Sequence, residues 1–61
     1  MSDYTISIIG KKIKSQRKKL GMTINDVAIG ANVSKGLVSK IENGRTVPSL
    51  PVLISLLKAT Q

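Results

Sequence analysis

No cysteine, histidine, tryptophan or phenylalanine occurs in the 61 residues, and tyrosine occurs once. Only three residues are acidic, against ten Lys+Arg, which gives a formal net charge of +7. Each shortage excludes something. Without Cys there is no disulfide framework and no thiolate metal site. Without His as well, the common zinc and haem ligands and His-based acid–base catalysis are missing. No nucleophile–base pair or metal set is present, so the sequence reads as a non-enzyme that needs no cofactor and no metal. A single aromatic argues against single-stranded nucleic-acid binding, which stacks bases on aromatic rings. No apolar run approaches the ~18 residues of a membrane span, and no signal-peptide pattern opens the chain.

What is present points the other way. Apolar residues make up 41% of the chain, too many for a disordered basic tail. A chain this short buries only about 60% of the surface its unfolded form exposes, so one small domain of modest stability, residues 1–61, is expected. Seven surplus positive charges on so small a body favour a polyanionic partner.

Punctuation divides the chain into four segments: Gly21, then Gly30-Ala31-Asn32, then Asn43-Gly44, then Pro48-Ser49. Each segment repeats at helical, not strand, period. The first runs from about Ser7 to Leu20. Ile9, Ile13, Gln16 and Leu20 share its apolar face, with Ile6 at the edge, while Lys11, Lys14 and Lys18 form a solvated face opposite. Lys12 and Lys19 flank the apolar stripe and can assist electrostatic approach to a polyanion. Arg17 falls at the rim of the apolar face. The second runs from Ile24 to Ala31, with Thr23 as N-cap and Asp26 completing a capping box. Asn32 stands where a left-handed residue ends a helix. The third runs from Lys35 to Asn43, with Ser34 as N-cap and Gly44 as the stop; Leu37, Val38 and Ile41 make its inner face. The fourth, Leu50 to Ala59, is capped by Ser49 and carries Pro51 in its first turn, where a missing N–H costs little. It is apolar nearly all round, which reads as the hub of the core or as a surface covered by a partner or by further sequence. Tyr4 and Ile6 read as terminal packing residues. The sum is a compact all-α domain of four to five helices. The gap of about three residues between the second and third segments, with its left-handed candidate followed at once by a cap, is helix-turn-helix geometry.

Thr23 to Gly44 resembles the helix-turn-helix of phage repressors and Cro proteins, the Xre-like family. The resemblance is carried by Ile9-Gly10-Lys11-Lys12-Ile13 and Arg17-Lys18-Lys19-Leu20-Gly21-Met22-Thr23. It continues through Asp26-Val27-Ala28, Val33-Ser34-Lys35-Gly36, Ser39-Lys40-Ile41-Glu42-Asn43-Gly44-Arg45 and Pro48-Ser49-Leu50, and so covers roughly residues 6–59. It implies that the helix at 34–43 enters the major groove of duplex DNA. Lys35, Gly36, Ser39 and Lys40 then form the base-facing set. The lysines can donate to guanine, Ser39 can donate or accept, and Gly36 lets the helix lie close. Thr23, Ser34, Asn43, Gly44 and Arg45 are the candidate phosphate contacts. Ser34 is a cap first and a phosphate contact second, and Asn43 reads equally as a simple helix end. The resemblance further implies that Arg17 and Glu42 pair across the first and third helices, a clamp with no direct part in DNA contact.

Three positions depart from the family pattern. Ile24 stands where Gln commonly touches phosphate, so that contact does not carry over. Asn32 replaces a common Gly. The fifth helix, often used in dimerisation, is not within the 61 residues. The expected function is sequence-specific double-stranded DNA binding in a cytoplasmic transcriptional regulator, most simply a repressor. A homodimer on a roughly palindromic operator is expected, with the fourth helix supplying the dimer contact. The run through Ser49-Leu50 is also similar to regulators that continue into a ligand-sensing domain, so the chain is either a short regulator or the N-terminal part of a longer one. The alternative is a protein-interaction module, such as an antitoxin-like partner, with weak DNA reading. A cationic membrane-surface peptide needs one long amphipathic helix, which Gly21, Asn32 and Gly44 interrupt.

Overall fold

The computed structural model describes residues 3–61, with side chains from Ser7 onward. Its order is α1 (Asp3–Lys19), α2 (Ile24–Ala31), α3 (Lys35–Glu42) and α4 (Leu50–Ala59). The domain is all-α among the described residues. The second and fourth helices have the expected bounds. The first begins four residues earlier than the apolar periodicity indicates. No Gly or Pro lies between Asp3 and Ser7 to stop the helix, and an acidic residue suits a first turn. The packing roles expected of Tyr4 and Ile6 fall on side chains outside the described set. The third helix closes one residue early, with Asn43 as its cap.

Three of the four helices start with a side-chain cap. Thr23 Oγ1 accepts from the Asp26 N–H at 3.0 Å while the Thr23 N–H donates to Asp26 Oδ2 at 2.8 Å. Ser34 Oγ accepts from the Leu37 N–H at 3.0 Å, and Ser49 Oγ from the Val52 N–H at 3.4 Å.

Three helix ends repeat one device. Gly21, Asn32 and Gly44 all lie at positive φ, 71°, 56° and 70°. After each, the next N–H reaches back five residues to a carbonyl of the last helical turn: Met22 to Arg17, Val33 to Ala28, and Arg45 to Lys40, at 2.9–3.0 Å. The left-handed residue's own N–H bonds Lys18, Ile29 or Ile41. This is the Schellman motif. It reverses the chain tightly enough for short helices to pack on one another.

Ile13, Val27, Ala28, Ala31, Val38, Ile41 and Leu56 form the buried core. Ala28 is small enough to let α2 and α3 approach, and Val38 is fully buried below their turn with Val33 half-buried beside it. Two packing expectations are corrected. Leu20 is exposed, because it lies beyond the last regular turn of α1. The fourth helix is not the hub of the core. Only Leu56 is buried on it, while Leu50, Ile54 and Leu57 are 69%, 44% and 54% exposed. α4 packs chiefly on α2 through one face, and no described element covers the other.

Candidate nucleic-acid interface

The third helix is held from behind by α1. Gly10, midway along α1, is buried against the end of α3. A Cβ placed there would stand 2.2 Å from the Ile41 carbonyl oxygen. Two turns further on, Arg17 reaches the same end of α3. Its Nε donates to Glu42 Oε2 at 2.7 Å, and its Nη2 donates to Oε1 at 3.0 Å. Its Nη1 donates to the Met22 carbonyl at 2.9 Å, tying the α1–α2 turn into the same cluster. Arg17 and Glu42 are both buried. The hydrogen bonds to Glu42 hold the guanidinium pKa above its ordinary value, against the opposing pull of desolvation. Sequence reasoning gave the Arg17–Glu42 pair only through family resemblance and missed the Met22 carbonyl. It also missed the packing role of Gly10, although an isolated Gly inside a helical pattern is a recognised sign of one.

With α3 fixed in this way, its outer arc faces solvent. Lys35, Gly36 and Lys40 are exposed, and nothing lies within 4 Å of where a Gly36 Cβ would stand. Ser39 is half-buried and is engaged with Asn43, whose Nδ2 donates to the Ser39 carbonyl at 2.8 Å and approaches Ser39 Oγ at 3.4 Å. Asn43 is therefore a helix cap. The Gly44 N–H donates to the Ile41 carbonyl, so Gly44 serves the turn and brings no free amide to a ligand. The Arg45 N–H is likewise engaged with Lys40, and its side chain is exposed.

The two helix starts differ electrostatically. At α2, Thr23 and Asp26 are exposed, and the Asp26 carboxylate lies beside the first turn. Its pKa is lowered, first by the Thr23 backbone hydrogen bond and then by the Thr23 hydroxyl. That fixed negative charge opposes a phosphate there. At α3, Ser34 is followed by Lys35 and no acid stands in the first turn, so helix polarity and side-chain charge act in the same sense. Ten Lys+Arg less the engaged Arg17 leave nine, and all nine are exposed. Arg17–Glu42 is the one ion pair among the described residues.

Comparison with known proteins agrees with this architecture. Residues 13–61 match the family described as helix-turn-helix, of Xre/Cro-like type. The transcriptional regulator ClgR of Mycobacterium tuberculosis strain H37Rv is 35% identical over 61 residues, all of this chain and 54% of ClgR. The HTH-type transcriptional regulator SlrR of Bacillus subtilis strain 168 is 45% identical over 47 residues, 75% of this chain and 31% of SlrR. The chain thus spans about half the length of ClgR and about a third that of SlrR. No solved structure is significantly similar to it. On the match over residues 13–61 and the four-helix architecture that carries it, the chain belongs to the Xre/Cro-like helix-turn-helix family.

Proposed function

We propose that this domain binds duplex DNA sequence-specifically, by laying α3 in the major groove, and that it serves transcriptional regulation, most simply by occluding a promoter as a repressor. The observation that carries the reading is the exposed, acid-free arc Lys35–Gly36–Lys40 on a short helix clamped to its scaffold by Arg17 and Glu42. A reading helix must hold its register while its charged side chains are desolvated, and the clamp lies on the far side from the groove.

The roles divide by position. Lys40, at the edge of the arc opposite Lys35, reads base edges, with Ser39 beside it. Lys35 lies next to the cap and serves base or phosphate. Gly36 lets the helix backbone approach. Ser34, Asn43 and Arg45 lie at the two ends of α3 and meet the backbone phosphates, with Gly44 shaping the turn between the last two. Thr23, whose hydroxyl caps α2 and bonds the Asp26 carboxylate, is left out of the phosphate set. Two copies on a roughly palindromic site, with half-site centres about 34 Å apart, present adjacent reading helices to one face of DNA. Val47 and Leu50, exposed just beyond Arg45, supply the apolar contact between them.

One experiment tests the division. Affinity is measured against a panel of single-base operator variants at several salt concentrations, with footprinting of the bound site. Wild-type binding is expected to weaken steeply with salt, with a slope of about −0.9 per phosphate neutralised. Lys40→Ala should lose about 1–3 kcal/mol of discrimination at one base position. Arg45→Ala should weaken binding to every sequence alike and reduce the salt slope by about one. Footprints should come in two symmetric halves. Salt-independent binding, or a uniform loss for Lys40→Ala with a changed base ranking for Arg45→Ala, would overturn the assignment.

A further inference from the structure

Two residues on the outer arc of α3 are bonded to each other, and the bond limits what the arc can recognise. At ~100° per residue, Ser39 and Asn43 lie between Lys35 and Lys40, about 40° and 80° round from Lys35. Asn43 Nδ2 donates to the Ser39 carbonyl at 2.8 Å. A carbonyl oxygen only accepts, so the amide nitrogen, not the amide oxygen, must face it. The same amide group lies 3.4 Å from Ser39 Oγ. The hydroxyl oxygen therefore looks onto amide hydrogens, and its own hydrogen is turned to the other side. That hydrogen is not spent on the helix. Ser55 and Thr60 donate theirs to the Pro51 and Leu56 carbonyls at 3.0 and 2.8 Å, whereas no acceptor among the described residues takes that of Ser39. Lys35 and Lys40, exposed on either side, donate and cannot accept. Gly36 brings no side chain. The Asn43 amide oxygen belongs to a residue placed at the phosphate end of the helix, outside the base-facing set.

We propose that Asn43 is a positioning residue that fixes Ser39 as a hydrogen-bond donor, so that α3 meets base edges with donors alone and selects a half-site marked by guanine. The proposal rests on the reading of α3 as the major-groove helix and names what that helix reads. Guanine shows two acceptors in the major groove, N7 and O6, and thymine shows O4. Adenine sets an N6 donor beside its N7 acceptor, and cytosine shows only its N4 donor. An arc that only donates satisfies guanine fully and thymine in part. It leaves the amino groups of adenine and cytosine facing other donors, and a desolvated polar group without a partner costs free energy. The lysine charges act in the same sense, since they favour the acceptor-rich edge. Lys35 and Lys40 are five residues apart, ~7.5 Å along α3. That rise matches about two steps of DNA at ~3.4 Å per base pair, so the lysines address different base pairs with Ser39 between them.

The test selects bound sites from random duplexes with the full chain. The preferred half-site is then rebuilt with 7-deazaguanine or 7-deazaadenine, which lack the N7 acceptor, at single positions. Guanine is expected at the positions whose preference Lys40→Ala and Ser39→Ala remove. At the Lys40 position, 7-deazaguanine should weaken the wild type at least about fivefold and Lys40→Ala no more than about twofold, because the partner donor is already gone. At the Ser39 position, Asn43→Ala frees the hydroxyl to rotate. The preference for guanine over cytosine there should fall from at least about tenfold to below about threefold, with the ranking elsewhere unchanged. Ser39→Ala/Asn43→Ala should rank bases as Ser39→Ala does. A lost cap or phosphate contact lowers every affinity alike, so a changed ranking at one position separates the positioning role from a structural one. Circular dichroism checks the fold, and Asn43→Gly, which suits a helix end, replaces Asn43→Ala if that variant is unfolded. Adenine or cytosine preferred at these positions, in a site that 7-deazapurines still weaken, would overturn the proposal and leave the groove reading standing. An unchanged ranking in Asn43→Ala would overturn the role given to Asn43. No base preference, or binding that no 7-deazapurine weakens, would remove the groove reading and the proposal with it.

Discussion

Arg17→Ala is expected to destabilise the domain by about 3–5 kcal/mol, the cost of removing one partner from a buried ion pair. Against a total of roughly 3–9 kcal/mol for a chain of this length, that is enough to unfold a large fraction of the molecules. The reason lies in what remains behind. Glu42 would stay 7% exposed and lose both of its guanidinium hydrogen bonds. The Met22 carbonyl would lose its side-chain donor at the same time. Urea unfolding measures the loss. Arg17→Lys should fall between, because an ammonium keeps the charge but cannot make the bidentate contact and reach Met22 together. A cycle with Glu42→Gln should show strong coupling, whereas additive effects would mean that the side chains do not meet in solution. Replacing both by apolar residues of similar volume should recover most of the loss, as apolar replacements of buried pairs commonly do. DNA affinity gives the functional readout. If the clamp holds α3 in register, the doubly apolar variant recovers stability but binds its operator more weakly.

Local chemistry was the most legible part of the fold. Gly21, Asn32 and Gly44 were readable as helix stops because a left-handed turn restricts residue type whatever surrounds it. Thr23, Ser34 and Ser49 were readable as caps for a similar reason: a short side chain satisfies an amide three residues on. Burial was less legible, because it depends on what lies opposite. The apolar sequence of α4 left two readings, the hub of the core or a covered surface, and only the exposure of Leu50, Ile54 and Leu57 removes the first. Leu20 kept the period of α1 but lies past its last turn. The start of α1 was read late, since the apolar periodicity thins out before Ile9, with Ile6 only at the edge of the stripe. Of the interface, the exposed arc of Lys35, Gly36 and Lys40 was readable from periodicity. The pairing of Arg17 with Glu42 was not, because residues 25 apart in sequence have no spacing rule to connect them; it came from resemblance. The engagement of Ser39 with Asn43 was missed for a different reason. Ser39 was read as a DNA contact and Asn43 as a phosphate contact or a helix end, and neither reading considered that a Ser and an Asn four apart at the end of one helix also face each other.

Gly10→Ala and Gly36→Ala are expected to shift stability in opposite directions although both replace a glycine within a helix. In an unobstructed helix Ala is favoured over Gly by roughly 1 kcal/mol. Gly36 meets that condition, with nothing within 4 Å of a new Cβ, so Gly36→Ala should stabilise by up to about 1 kcal/mol. At Gly10 the added Cβ would stand 2.2 Å from the Ile41 carbonyl oxygen and 3.0 Å from that of Glu42. Both are backbone atoms, and the Ile41 oxygen also accepts from the Gly44 N–H in the turn that ends α3. They have no rotamer to change, so α1 must move off α3. That movement loosens Ile13 and Ile41 in the core and lengthens the Arg17–Glu42 contact. The overpacking cost should outweigh the gain in helix propensity and leave a net loss of about 2–3 kcal/mol. Urea midpoints for the two variants check the signs directly. A stabilised Gly10→Ala would mean that α1 and α3 are further apart than the structure places them. Because the clash falls at the end of α3, Gly10→Ala should also weaken operator binding under conditions where the variant remains fully folded, without any change to a residue that faces DNA.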